Sequence, residues 1–142
     1  MTTQATHTPK LSARKLSALP DFERGYFTAA FWTADDDAGS GEYAATGRAD
    51  DHFARLHPAN LAEQMRQCDK FQQESAGTLA ECESYQAGMD FWLTRNGHGS
   101  GFWDGDYDHL DGTGEAAKRL TDAAHAFGEV WCSIYEEGSF IE

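Results

Sequence analysis

The chain has few cysteines, few prolines, few positive charges and no long apolar run. Its three cysteines, Cys68, Cys82 and Cys132, are odd in number and widely spaced, with no Cys-x-x-Cys pair. That argues against a zinc ribbon or finger, and the three read as reduced, mostly buried thiols. No stretch approaches the roughly 18 apolar residues of a membrane helix. The opening Met1-Thr2-Thr3-Gln4-Ala5-Thr6-His7 lacks the apolar region of a secretory signal, so a cytoplasmic protein is expected. There is no internal repeat, no Gly-x-Ser-x-Gly elbow and no Walker A sequence. Gly97-x-Gly99-x-Gly101 lacks both the further spacing and the preceding strand of a dinucleotide fingerprint. No catalytic residue, cofactor or metal is assigned on these grounds.

Positive charge is the most telling shortage. Lys and Arg number 11 against 24 Asp and Glu, a net charge of −13. Lys10, Arg14 and Lys15 are the only charges among the first twenty residues. From Asp21 onward, eight bases face all 24 acids, so the body carries −16. Such a body repels nucleic acid and membrane surfaces and favours a partner protein with a basic surface. At about one charge per 1.7 Å of duplex, 16 charges match roughly 27 Å of DNA. That fills a short nucleic-acid cleft and not a long one.

What is abundant is aromatic surface. Four Trp, nine Phe and five Tyr in 142 residues, 40% of them hydrophobic, specify a folded chain. We expect a flexible N-terminal tail over 1–18 and one globular domain over 19–142. The fold class expected is α+β: mostly helical, about four helices, with a C-terminal β-hairpin. Phe22, Tyr26, Ala29, Ala30 and Phe31/Trp32 recur at helical steps and predict a helix over 20–33. Residues 38–56 show no strong period and read as loop with at most a short turn. His57-Pro58 opens a helix striped by Leu61, Met65, Cys68 and Phe71, reaching Ser75 or Ala76. Thr78-Leu79-Ala80-Glu81 has capping-box spacing for a further turn. Ser84–Arg95 predicts a third helix stopped by Asn96-Gly97, with a strand over 89–94 as the alternative. Glu115–Phe127 predicts a helix with Ala116, Leu120, Ala123, Ala124 and Phe127 on one face. Val130, Cys132, Ile134 and Phe140 alternate with Trp131, Ser133, Tyr135 and Ile141 about Glu136-Glu137-Gly138, a hairpin pattern.

The densest segment is Phe91-Trp92-Leu93-Thr94-Arg95-Asn96-Gly97-His98-Gly99-Ser100-Gly101-Phe102-Trp103-Asp104. It is either a folded corner of the core or a recognition surface, since Trp and Arg are favoured interface anchors. Trp92 is expected to be buried. Arg95 and His98 are expected to be at least partly exposed where the helix meets the glycine loop. On the recognition reading the contact residues are Arg95, Asn96, His98, Trp103, Asp104, Asp106 and Asp108.

Asp104-x-Asp106-x-Asp108 with Glu115 matches positions 1, 3, 5 and 12 of a calcium loop. His109 stands where that loop needs glycine, and Asp111 where it needs an apolar residue, so a solvated acidic loop is the reading preferred. The alternative of another class is a small enzyme or metal-dependent protein centred on Asn96, His98, Asp104 and His109.

The segment from Gly88 to Asp104, with Leu120-Thr121-Asp122-Ala123-Ala124-His125-Ala126-Phe127-Gly128-Glu129, resembles a family of small proteins encoded in bacteriophage genomes and prophages. The resemblance covers roughly residues 20–142 and is strongest over 86–128. Members have a shorter stretch after Phe-Trp-Asp, without the Asp106/Asp108 pair, which further weakens the calcium reading. The resemblance brings no activity or cofactor with it. It implies a phage accessory protein in the bacterial cytoplasm. The leading expectation is therefore a non-enzymatic acidic protein that binds a host or phage protein, inhibiting a nucleic-acid-binding or defence complex and partly mimicking DNA. A structural or regulatory component whose acidity serves only solubility is the third reading.

Overall fold

A computed structural model describes residues 14–35, 48–98, 100–104 and 107–142. These carry six α-helices: α1 (Asp21–Ala34), α2 (Arg48–Ala54), α3 (Pro58–Glu74), α4 (Ala76–Leu79), α5 (Ser84–Arg95) and α6 (Glu115–His125). Short 3-10 turns occupy Leu16–Ala18 and Asp108–Leu110, and β1 (Cys132–Ile134) and β2 (Ser139–Ile141) close the chain. The mostly helical fold with a C-terminal antiparallel hairpin is as expected; the helix count is six and not about four. No helix among the described residues is long and apolar enough to cross a membrane.

Two glycines bring α1 and α5 together. A Cβ on Gly25 would overlap the Tyr85 carbonyl, and one on Gly88 would overlap the Phe22 carbonyl. Only the missing side chains let the two backbones touch. Their aromatic faces then meet α3: Phe71 and Phe91 stack at 4.1 Å between ring centroids, and Tyr26 lies 5.3 Å from Phe91. Phe102 and Phe127 join the same cluster. Each such ring pair contributes about 0.5–1.5 kcal/mol beyond its area burial.

Local cap chemistry sets most boundaries as read. Pro58 starts α3 behind His57, whose Nδ1 accepts the Ala59 amide at 3.2 Å. α5 ends in a Schellman motif: the Gly97 amide donates to Thr94 O at 3.2 Å and the His98 amide to Leu93 O at 3.0 Å, with Gly97 at φ 71°. Residues 89–94 are helix and not strand. Thr78 caps nothing; it lies inside α4, and the α5 cap is Glu83, which accepts the Tyr85 and Gln86 amides.

Three expectations need correction. Residues 48–54, read as loop, are α2, which buries only Ala49 and Phe53. The helix is held from outside instead. Asp35 accepts from Arg48 at 2.5 Å and contacts His52 Nε2 at 2.9 Å, and Asp50 accepts the Leu16 amide at 3.0 Å. The last of these bonds also answers the tail. Residues 14–18 are fixed to the body, with Leu16 buried and Arg14 donating to the carbonyls of Ala54 and Leu56. The remainder of the expected tail, 1–13, lies outside the described residues, as do positions 36–41 of the expected acidic loop.

The third correction concerns the hairpin. Cys132 faces Ile141 and Ile134 faces Ser139, so these four share the inner side, while Phe140 pairs with Ser133 on the other. Alternation along each strand was read correctly, but the register joins Ile141 and not Phe140 to Cys132. A lone hairpin is marginal. This one is anchored by Ser139, which exchanges backbone bonds with Arg55 and His57 and donates its hydroxyl to His52 O at 2.7 Å.

Candidate functional site

The segment 91–104 folds as a corner of the core. Trp92 is buried, as expected, and its indole donates to Thr33 Oγ1 at 3.0 Å. Thr94 Oγ1 accepts the Phe102 amide at 3.1 Å, folding the glycine loop back onto α5. Asn96 ties two elements: Nδ2 donates to Trp92 O at 3.0 Å, and Oδ1 accepts the Val130 amide at 2.9 Å.

Arg95 departs from expectation. It is 2% exposed and not partly open. Its Nε donates to Gly128 O at 2.8 Å, and Nη2 to Phe127 O at 3.1 Å. Nη1 donates to Gln67 Oε1 at 2.7 Å and to Tyr26 Oη at 3.1 Å, and Tyr26 in turn donates to Gln64. The guanidinium also lies over the rings of Phe91 and Phe127. Among the described residues no carboxylate forms an ion pair with it. It is a cation held by neutral acceptors and ring faces, welding α5 to α1, α3 and the turn after α6. At this burial Arg95 presents almost no surface to a partner.

The remaining expected residues scatter. His98 is half-buried, Asp104 and His109 are exposed, and Trp103 is 44% exposed with its ring beside Gly101. Asp106 and the Asp108 side chain lie outside the described residues, so the Asp104–Asp108 contact expectation is described only at Asp104. Asp111 is occupied with its own turn, accepting the amides of Thr113, Gly114 and Ala116. Those bonds lower its pKa, the Thr113 amide foremost. Beneath this loop, the Tyr107 hydroxyl donates to buried Asp90 at 2.6 Å. Burial first and Asp90 second raise the Tyr107 pKa, which keeps the phenol a donor. No group of three or more potential metal ligands forms among the described residues.

Among the described residues, one cleft lies against Arg14, Lys15, Arg48 and Arg55, and another holds two of the expected residues, Asn96 and His98. The cleft at Asn96 and His98 encloses about 680 Å³ between the end of α5 and the hairpin. Thr33 and Ala34 of α1, Trp92, Asn96 and His98 line it from the helices, and the segment from Glu129 to Tyr135 with Glu142 lines it from the hairpin side. Asp104 and His109 are not part of it, so the alternative centre of Asn96, His98, Asp104 and His109 is not assembled in this cavity. Trp131 and Tyr135 line it too and are 76% and 53% exposed. Neither is among the contact residues expected from the sequence; their i, i+4 spacing on the hairpin face opposite Cys132 is the signal that marks them as one surface. The cleft holds one thiol, Cys132, and burial pushes its pKa up to about 12. The attacking species in cysteine chemistry is the thiolate, and this thiol is kept protonated. Burial raises Cys68 and Cys82 as well.

Compared with protein-family models, curated proteins and solved structures, the chain matches none.

Proposed function

We propose that this protein is a non-enzymatic binding module whose acidic body docks on the basic surface of a partner protein, with the cleft beside the hairpin as its anchor. The observation that carries the reading is the pairing of exposed Trp131 and Tyr135 with Glu129 and Glu142 around a cavity that no Lys or Arg lines among the described residues. Aromatics that leave solvent on association supply affinity. Carboxylates at the rim supply orientation and association rate toward a basic surface. In this proposal the partner is a host or phage protein, and occupying its nucleic-acid-binding surface inhibits it. The wide scatter of exposed acids, from Asp21 and Asp69 to Asp122 and Glu137, supports the charge component of that reading.

The test is capture from bacterial lysate by the immobilised full chain at about 50 mM and about 500 mM salt, conditions between which exposed charge pairs lose most of their reach. Basic nucleic-acid-handling proteins are expected at low salt and absent at high salt. Trp131→Ala with Tyr135→Ala should abolish their capture while leaving the fold intact. Recovery of no basic protein, or capture indifferent to the double variant, contradicts the reading.

A further inference from the structure

We propose that the partner supplies an extended, lysine- or arginine-bearing segment that adds to the free edge of β1 as a third strand. This rests on the binding role proposed above for the cleft and specifies its mode.

In an antiparallel pair, facing residues alternately exchange their backbone bonds and turn them outward. Trp131 and Glu142 exchange both bonds, at 2.8 and 3.0 Å, and Tyr135 and Gly138 do the same at 2.9 and 3.3 Å. The alternation therefore directs the amides and carbonyls of Cys132 and Ile134 away from β2. On β2 the corresponding outward groups are used: Ser139 N donates to Arg55 O at 3.1 Å and Ser139 O accepts from His57 N at 2.9 Å. Ile141 N donates to Asn60 Oδ1 at 3.0 Å. One edge of the hairpin is covered. Among the described residues, no hydrogen bond takes up the outward groups of Cys132 and Ile134 on the other.

Cys132 and Ile134 line the cleft together with Thr33, Ala34, Trp92, Asn96 and His98. Exposed edges are commonly guarded by Lys or Pro; Trp131 to Tyr135 contains neither. A strand rises about 3.3 Å per residue, so about three or four partner residues would span this edge. The charge around the cleft selects the occupant. Glu129 and Glu142 line it and, among the described residues, no Lys or Arg does, while the rings of Trp131 and Tyr135 offer faces to a cationic head group. A second copy of this chain is a poor occupant, because antiparallel edge pairing would bring Glu129, Glu136 and Glu137 of the two copies close together.

The test uses the full chain and a blocked seven-residue peptide alternating lysine and valine. One control is the same peptide N-methylated at alternate amides; the other replaces lysine by glutamate. Affinity is read by fluorescence anisotropy, and amide exchange at Cys132 and Ile134 by NMR. The lysine peptide should bind and slow exchange at both amides. The N-methylated peptide should bind about tenfold more weakly or worse, and the glutamate peptide should not bind. Ile134→Pro, which removes an outward donor, should weaken the lysine peptide similarly; if that variant does not fold, the exchange measurement on the unaltered chain decides. Equal binding of the lysine and N-methylated peptides overturns strand addition, as does no binding of the lysine peptide. In either case, lysate capture that still depends on Trp131 and Tyr135 leaves the cleft reading standing. Concentration-dependent protection of the two amides without peptide would assign the edge to a second copy and overturn the basic occupant.

Discussion

Arg95 determines how the whole segment 91–104 is understood. A buried guanidinium serving four neutral acceptors has exchanged its hydration for fixed protein dipoles. Removing it leaves the Phe127 and Gly128 carbonyls, Gln67 and Tyr26 without their donor. Arg95→Ala is therefore expected to cost about 3–5 kcal/mol in urea unfolding. Arg95→Lys should recover little, because one ammonium cannot reproduce the planar fork. A loss below about 1 kcal/mol would return Arg95 to the surface. The sequence makes the richness of this segment plain and not its role. Burial of Trp92 followed from its helical neighbours, Phe91 and Leu93. Burial of Arg95 depends on partners at 26, 67, 127 and 128, none of them near it in the chain. Gln64 was hidden for the same reason: buried on α3, it accepts its bond from Tyr26, which is far from it in the chain.

At the scale of elements, the crossing of α1 and α5 is the joint on which everything else rests. Ala is worth about 1 kcal/mol more than Gly in an exposed helix interior. Here the sign reverses, because the new methyl meets backbone that cannot rotate away. Gly88→Ala and Gly25→Ala should each lower stability by about 3 kcal/mol or more, seen as a clear fall in Tm; a rise would mean the helices are further apart. Elements with local signals were legible: α3 from Pro58, α5 from its glycine stop, and the hairpin from its alternation. α2 was not, because two buried residues make no stripe and its support comes from Asp35 and Leu16. The hairpin register was also out of reach, since Ser139, a residue with no apolar signal, is what docks β2 on Arg55 and His57.

For the whole molecule, buried acidic hydrogens predict how stability follows pH. The thiols of Cys68 and Cys132 and the phenols of Tyr26 and Tyr107 all titrate higher in the folded chain, burial being the first cause in each. The unfolded chain then loses these protons first, so stability is full below the ordinary thiol value of 9.0 and falls as pH rises toward about 12. Urea midpoints should drop steadily across that window, and Cys132→Ala should reduce the drop. A midpoint flat to the top of the window would contradict the burial of these groups. The net charge of −13 was legible from composition alone. Where that charge meets exposed aromatics was not, because Glu129 and Glu142 reach one cleft only once the hairpin folds back.

On the proposed function, the buried corner around Arg95 holds the fold while the hairpin side of the cleft does the binding. The most direct measurement is urea unfolding of Arg95→Ala and Trp131→Ala side by side. Trp131, largely in solvent, should cost no more than about 0.5 kcal/mol, against about 3–5 kcal/mol for Arg95. Equal losses, or a larger loss at Trp131, would show that the exposed ring belongs to the core and would remove the surface on which the account depends.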